Sequence, residues 1–453
     1  MAKSRGGRGA PLGRRISRRR FIQITTAGIA GAALLEVTGC GGGGGGGGDG
    51  GGGGEFTFSF GPDPSGSLQE LVKRFNGQFE GEYTATYREM PSDTGQYFNQ
   101  LQTEFQSGQS NIDLIGGDVI WPAQLAAPGY IADVSDRFPE EDRQAFLPGP
   151  IESNTYDGTI YGVPWFTDAG LLYYRTDLLE EAGLDPNTPP ETWEDLKAQA
   201  IEVAEATGTQ NGFVFQGSNY EGCVVNGVEY IGSHGGSILD PNDSSVVTVD
   251  SPEAIAGLTT MASMVADGAS PQAVANFTET ESQEAFLQGN AVFIRIWPFL
   301  YGLLEDPEAS TIRPEQVGVA PLPAGEGGES VAGLGGWNFM LNANSQNQDA
   351  AYEFVRFATT PEQQKFRALE GSFLPTLQEL YEDQEVLGAV PVIKLAGAET
   401  LQSTVPRPIS PYYSDMSLRL AEQFNGVVKG DTPPEEAAAT LQEQLTQIIE
   451  QGN

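Results

Sequence analysis

From residue 55 onward the apolar positions follow two alternating periods. Phe56, Phe58 and Phe60 share one face at period two, which predicts a strand over residues 55–60. Leu68, Leu71, Val72, Phe75 and Phe79 then recur at helical spacing and form a single stripe. Residues 83–87 read as a second strand, Tyr97, Phe98, Leu101 and Phe105 as a second amphipathic helix, and residues 112–115 as a short buried strand. Such alternation predicts a parallel sheet covered by helices. It restarts at residues 171–174, with helices over 177–182 and 193–206 and strands over 213–215, 291–296 and 317–320. Helical periodicity dominates from 350 to 369 and from 416 to the end. A chain of 453 residues exceeds one ordinary core, so two α/β units are expected.

The residues ahead of this body have a different character. Ser17-Arg18-Arg19-Arg20-Phe21-Ile22 resembles a twin-arginine export signal, and the apolar run over 22–35 is too short to span a membrane as a helix. Val37-Thr38-Gly39-Cys40 resembles a lipobox, which makes Cys40 the expected lipidated residue. Residues 41–54 are glycine except for Asp49, a flexible tether with a root-mean-square span of about 20 Å. One lipid chain anchors only marginally, so a second attachment is expected.

Charge narrows the function further. The chain has 24 basic and 61 acidic residues, a net charge of −37. Eight of the basic residues precede Cys40, which leaves 16 against 60 from Cys40 onward, or −44. A body of that charge repels nucleic acid and anionic lipid, so no nucleic-acid partner is expected, and contact with the membrane is expected through the lipid alone. Acid spread through the whole body suits life in strong brine, where the Debye length shrinks to about 3 Å at 1 M salt. Cys40 and Cys223 are the only cysteines and His234 the only histidine. Histidine triads, His/Cys metal clusters and a disulfide framework are therefore excluded, and neither metal nor cofactor is expected. Cys223 reads as a small buried residue, and His234, just before Gly235-Gly236, as the end of a helix.

In open α/β sheets ligands bind beyond the carboxyl ends of strands. Four of the five tryptophans stand at such ends or at junctions: Trp121, Trp165, Trp297 and Trp337. A sugar offers apolar C–H faces and hydroxyl edges, and a site for it needs flat rings beside carboxylates, amides and guanidinium groups. Asp118 near Trp121, Asp168 near Trp165, and Gly335-Gly336-Trp337-Asn338 supply such pairings. Arg407 lies among prolines in Pro406-Arg407-Pro408-Ile409-Ser410-Pro411-Tyr412-Tyr413. For any single tryptophan the core is an equal alternative, and Trp193 reads as packing at a helix start.

The run from Val163 through Pro164-Trp165-Phe166-Thr167-Asp168-Ala169-Gly170 to Arg175 resembles the first inter-lobe crossing of family 1 extracellular solute-binding proteins, and is most similar to their trehalose/maltose-binding group. Gln216-Gly217, Tyr220-Glu221-Gly222, residues 286–291, Gly335-Gly336-Trp337 and residues 406–413 are similar to that group too, in matching order. The resemblance implies a two-lobe, type II periplasmic-binding-protein-like α/β fold with the ligand cleft between the lobes. Three inter-lobe crossings are expected, near 164–170, 331–336 and 371–376. Residues 55–166 with 337–373 would form lobe 1, and 167–336 with 374–453 lobe 2, after a signal peptide (1–39) and a lipidated tether (40–54).

It further implies a non-enzymatic, monomeric receptor that passes a sugar, trehalose or maltose for example, to the permease subunits of an ABC importer. Asp118, Asp168, Trp297, Gly336, Trp337 and Arg407 fall at sugar-contacting positions, with Trp121, Trp165, Tyr220, Glu221 and Tyr412 as secondary candidates. Pro62-Asp63-Pro64-Ser65 departs from the pattern, since no acid stands nearer the helix start. The residues leave two alternatives open: a secreted hydrolase using paired carboxylates, and a receptor of the same fold for another solute such as a polyamine.

Overall fold

The computed structural model describes residues 54–452 apart from 64, 92–93, 109–110 and 397–403. The export signal, Cys40 and the glycine tether up to residue 53 lie outside the described residues, while Gly54 already belongs to the first strand. Two sheets organise the rest. The first runs in the order Tyr83–Glu89, Gly54–Phe60, Leu114–Asp118, Ala332–Leu341, Val163–Ala169, Leu374–Pro375, with Thr404–Val405 added beside Ala332 and Gly333. Its first three strands are parallel, as the alternation predicts. Ala332–Leu341 lies antiparallel to both of its long neighbours, so the sheet is mixed and not wholly parallel. The reason is topological: that strand enters from the other sheet.

The third strand differs from its predicted position. It covers Leu114–Asp118, not 112–115, because Gly116 and Gly117 extend it. A β-carbon on Gly116 would lie 2.7 Å from the Phe60 ring, and one on Gly117 2.8 Å from the Met340 methyl. These glycines are therefore packing residues, and they carry the strand forward until Asp118 is its last residue.

The second sheet runs Val317–Ala320, Leu171–Arg175, Ala291–Ile296, Asn211–Val214. Leu171–Arg175 is antiparallel to both neighbours, whereas Ala291–Ile296 and Asn211–Val214 are parallel. Helices Trp193–Thr207, Glu221–Ser233, Pro252–Ala266, Tyr413–Lys429 and Pro434–Gly452 pack around this unit. Trp193 is buried at a helix start capped by Thr192; its indole N–H donates to Ser233 Oγ at 2.9 Å and its ring lies 4.2 Å from Tyr230. Cys223 is buried, and burial pushes its thiol up to about 12. His234 ends Glu221–Ser233, within hydrogen-bond reach of the Tyr230 carbonyl and Thr260 Oγ1.

The chain passes from the first sheet to the second at Gly170, between Val163–Ala169 and Leu171–Arg175, and returns between Val317–Ala320 and Ala332–Leu341. After Leu374–Pro375, helix Gln384–Ala389 still packs on Pro361–Gly371, with Lys365 bonded to Asp383 at 2.8 Å. Val392–Ala396 then packs on Val317–Ala320 of the second unit. No helix among the described residues is long and apolar enough to cross a membrane.

Candidate ligand-binding site

The site grows from the Gly335-Gly336-Trp337 stretch of Ala332–Leu341, held between two strand ends. On one side Trp337 pairs in register with Asp118; on the other Gly335 pairs with Asp168 and Gly336 with Thr167. Gly336 has φ +120°, and a β-carbon there would stand 2.4 Å from the Phe166 carbonyl oxygen, so only glycine fits. Its own carbonyl accepts from Val119 N at 3.2 Å, which secures the turn after Asp118.

Two connected groups of side chains gather here. In the first, buried Arg407 donates from Nη1 to Glu221 Oε1 at 2.6 Å and from Nη2 to Asp118 Oδ1 at 3.4 Å and to the Leu334 carbonyl at 3.5 Å. Glu221 opens the helix Glu221–Ser233, and Tyr413 Oη donates to the same Oε1 at 2.5 Å while Ser417 Oγ donates to Oε2. Asp118 Oδ1 also accepts from Ile120 N at 3.1 Å. Burial raises the Asp118 carboxyl from its ordinary value, and the Arg407 charge offsets only part of that rise.

The second group is Asp168 with Trp297. Trp297 follows directly on Ala291–Ile296, and a β-carbon at Gly335 would lie 3.1 Å from both its ring and Asp168 Cβ. The Asp168 carboxylate has no hydrogen-bond partner among the described residues. Burial, and then the charge of Asp118, push it up to about 7. Trp337, half-buried, is wedged edge-on against Phe60 at 4.9 Å and Trp121 at 5.6 Å.

The six principal residues thus adjoin one another, with Glu221 among them. The secondary ones divide. Trp121 and Trp165 are 1% and 2% exposed, inside the aromatic core of the first sheet, and have no surface to offer a ligand; this corrects the expectation for both. Trp121 packs against Tyr97 and Phe98, and Trp165 against Phe60 and Phe339. Tyr220 turns its hydroxyl to Glu279 Oε2 at 2.7 Å, and the Tyr412 ring rests against Gly452 at the chain end. Asp63, in the departing loop, is consumed structurally: it accepts from Leu68 N at 2.8 Å and pairs with buried Arg367 at 2.8 Å. Sequence reasoning missed Ser417 and the role of Tyr413, although Tyr413 lies within the proline-bounded run that carries Arg407.

Over residues 61–365 the chain matches the family of bacterial extracellular solute-binding proteins. It is 36% identical over 372 residues to a probable ABC transporter-binding protein of Deinococcus radiodurans, covering 80% of this chain and 86% of that one. The chain is a bacterial extracellular solute-binding protein. Such proteins serve ABC importers and are not enzymes, so the hydrolase alternative falls. The structure of maltose-bound MalE3 from T. maritima is similar at TM-score 0.75 and 34% identity, covering 86% of this chain and 98% of that one. The GacH receptor of Streptomyces glaucescens, solved unliganded and with acarbose, is similar at TM-score 0.74 and 26% identity, covering 88% and 99%. The two-lobe type II architecture follows from these likenesses together with the two sheets.

Proposed function

We propose that this solute-binding protein captures a neutral oligosaccharide, a disaccharide such as maltose or trehalose, and hands it to an ABC permease. The observation that carries this reading is the unpartnered Asp168 carboxylate, placed beside Asp118 and next to the half-buried rings of Trp297 and Trp337. A desolvated acceptor needs donors, and sugar hydroxyls supply them while the rings take the C–H faces. Asp118 and Glu221 bond the guanidinium of Arg407, and Asp168 adds a third carboxyl beside Asp118, an acidic excess that repels a carboxylate or phosphate ligand. The relatives solved with maltose and acarbose support the same class. The contacts then come from Asp118, Asp168, Trp297, Gly336, Trp337 and Arg407, the last steadied by Glu221.

The finer assignments belong to the same proposal. Lobe 1 comprises 55–166 with 337–390 and lobe 2 comprises 167–336 with 391–453. The third crossing follows Gln384–Ala389 and not 371–376 as the resemblance implied, because Leu374–Pro375 pairs in the first sheet and Gln384–Ala389 packs on Pro361–Gly371. Export follows the twin-arginine signal, Cys40 anchors the chain by lipid outside the cell, and the monomeric body works in brine. Titration calorimetry with maltose, trehalose, sucrose, glucose and spermidine tests the ligand class. Binding of a neutral sugar is expected. Binding of spermidine alone moves the assignment to a cationic solute, which the same carboxylate excess favours.

A further inference from the structure

Against the Trp297 ring lies a second charged centre. Arg295 is the penultimate residue of the strand Ala291–Ile296, its side chain 1% exposed, and the Glu229 side chain, from helix Glu221–Ser233, is likewise 1% exposed. Arg295 donates from Nε to Glu229 Oε2 at 2.7 Å and from Nη2 to Oε1 at 2.5 Å, a bidentate pair. Its third nitrogen, Nη1, donates to Gln216 Oε1 at 3.2 Å, and Gln216 Nε2 returns to the Arg295 carbonyl at 2.9 Å and to Ser282 Oγ at 2.8 Å. Each of the three guanidinium nitrogens therefore has a partner.

Three contacts tie the pair to the two crossings and to Trp297. Glu229 Oε1 accepts from the backbone N–H of Gly333 at 3.0 Å, on the strand returning to the first sheet. A β-carbon on Gly170, the outgoing crossing, would stand 2.0 Å from that oxygen and 2.5 Å from Arg295 Nη2. Gly170 N in turn donates to the Gly333 carbonyl at 3.4 Å, so both crossings are fastened to each other directly above the ion pair. On its other side, the Arg295 guanidinium carbon lies 4.2 Å from the Trp297 ring centre.

We propose that Glu229 and Arg295 are positioning residues for solute capture. They hold the Trp297 ring against Gly335 and clamp the Gly170 and Gly333 crossings, and so govern affinity without touching the solute. This rests on the reading of the cleft as a sugar site. Stability alone does not account for the pair, because a well-packed apolar pair of similar volume generally serves a core as well or better. What an apolar pair does not supply is an acceptor for the Gly333 amide, a cation against Trp297, and a contact that admits only glycine at 170.

The test compares the parent with the apolar double variant Glu229→Leu/Arg295→Met and with the isosteric Glu229→Gln. Thermal midpoint, sugar affinity by calorimetry, and hydrogen exchange at the Gly333 amide are measured on the full chain. The double variant is expected to melt close to the parent, to bind the best sugar of the panel at least tenfold more weakly, and to exchange the Gly333 amide at least tenfold faster. Glu229→Gln keeps the shape and answers the same questions if the double variant does not fold. In a Trp297→Ala background the affinity loss should shrink, since the pair then has no ring to place. Folded variants with parental affinity and parental Gly333 protection overturn the proposal. If the parent binds no sugar at all, the sugar reading fails separately, and Gly333 exchange still decides whether the pair clamps the crossings.

Discussion

Replacing Asp168 by asparagine gives the most informative perturbation, because it moves stability and affinity in opposite directions. In the free protein burial and the neighbouring Asp118 charge raise this carboxyl to about 7, and nothing among the described residues donates to it. The sign follows from linkage. A carboxyl raised in the folded state binds its proton more tightly there than in the unfolded chain. Ionisation therefore weakens the fold progressively as pH rises from about 4 to about 7, and the loss is constant above that. Asp168→Asn removes this cost, so its thermal midpoint should exceed the parent's at pH 7.5 and the difference should vanish near pH 4. A sugar hydroxyl donating to the charged carboxylate favours the ionised form, so binding releases a proton wherever the free protein holds one. Between pH 7.5 and 5.5 the parent's affinity should fall about 25-fold, since each unit below the pKa costs close to tenfold. At pH 7.5 the asparagine variant should bind roughly 10- to 150-fold more weakly, corresponding to about 1.5–3 kcal/mol for a hydrogen bond to a charged group. Calorimetry at both pH values, in buffers of different ionisation enthalpy, measures the affinity and counts the proton. Affinity that is flat over this range with no proton released, or an asparagine variant as tight as the parent, refutes the reasoning.

Trp337→Ala should weaken sugar binding by about 1–3 kcal/mol through loss of a stacking face. It should also lower the thermal midpoint, because the same ring packs on Phe60 and Trp121; intact affinity by calorimetry would remove Trp337 from the site. Cys40→Ser should shift the protein from the membrane fraction to the medium or leave it unprocessed on a gel, and a variant retained on membranes as firmly as the parent counts against a lipid anchor there. Midpoints measured from low to molar salt should climb steeply as the acidic surface is screened, and a level series would dispose of the adaptation to brine.

Much of the fold was legible because each element announces itself locally. The stripe Leu68, Leu71, Val72, Phe75 lies on Ser67–Gln78, and residues 291–296 and 317–320 are strands with those same bounds. What local pattern does not contain is which sheet a strand joins. Ala332–Leu341 pairs with residues more than two hundred positions earlier, and its antiparallel direction follows from the route between the lobes. The tryptophans divide for a related reason. Within Val163–Ala169, Trp165 stands three positions before Asp168, an odd spacing that the pleat turns to opposite faces. The pairing with Ala332–Leu341 also slips at Trp165, which sends the ring into the core while Asp168 stays beside Gly335. That division was available from period two alone. The partners of Arg295 were not: an arginine inside the apolar run Ala-Val-Phe-Ile-Arg-Ile demands a buried acid, but nothing local points to Glu229, sixty-six residues earlier.

The electrostatics of the site have a meaning that depends on motion. Two neighbouring carboxyls, both raised by burial and only one of them facing a guanidinium, resemble the arrangement by which many hydrolases divide acid and base roles. In a receptor the same pair has another use. Closing an empty cleft around the partly exposed Asp168 costs it hydration and supplies no donor from the described residues in exchange, and the nearby charge of Asp118 adds to that cost. A bound sugar brings the missing donors, so the closed form gains relative to the open one only when the cleft is filled. Population shifts by as much as the ligand discriminates between the two forms, and an acceptor that is hydrated when open and unpartnered when closed empty sharpens that discrimination. Arg407 acts in the opposite sense, since its bonds to Asp118 and Glu221 need no ligand. On the proposed sugar reading, an ion pair that needs no ligand and a carboxylate that does would together make closure depend on loading. The Asp168→Asn variant should then close more readily when empty, a difference that solution scattering without ligand measures.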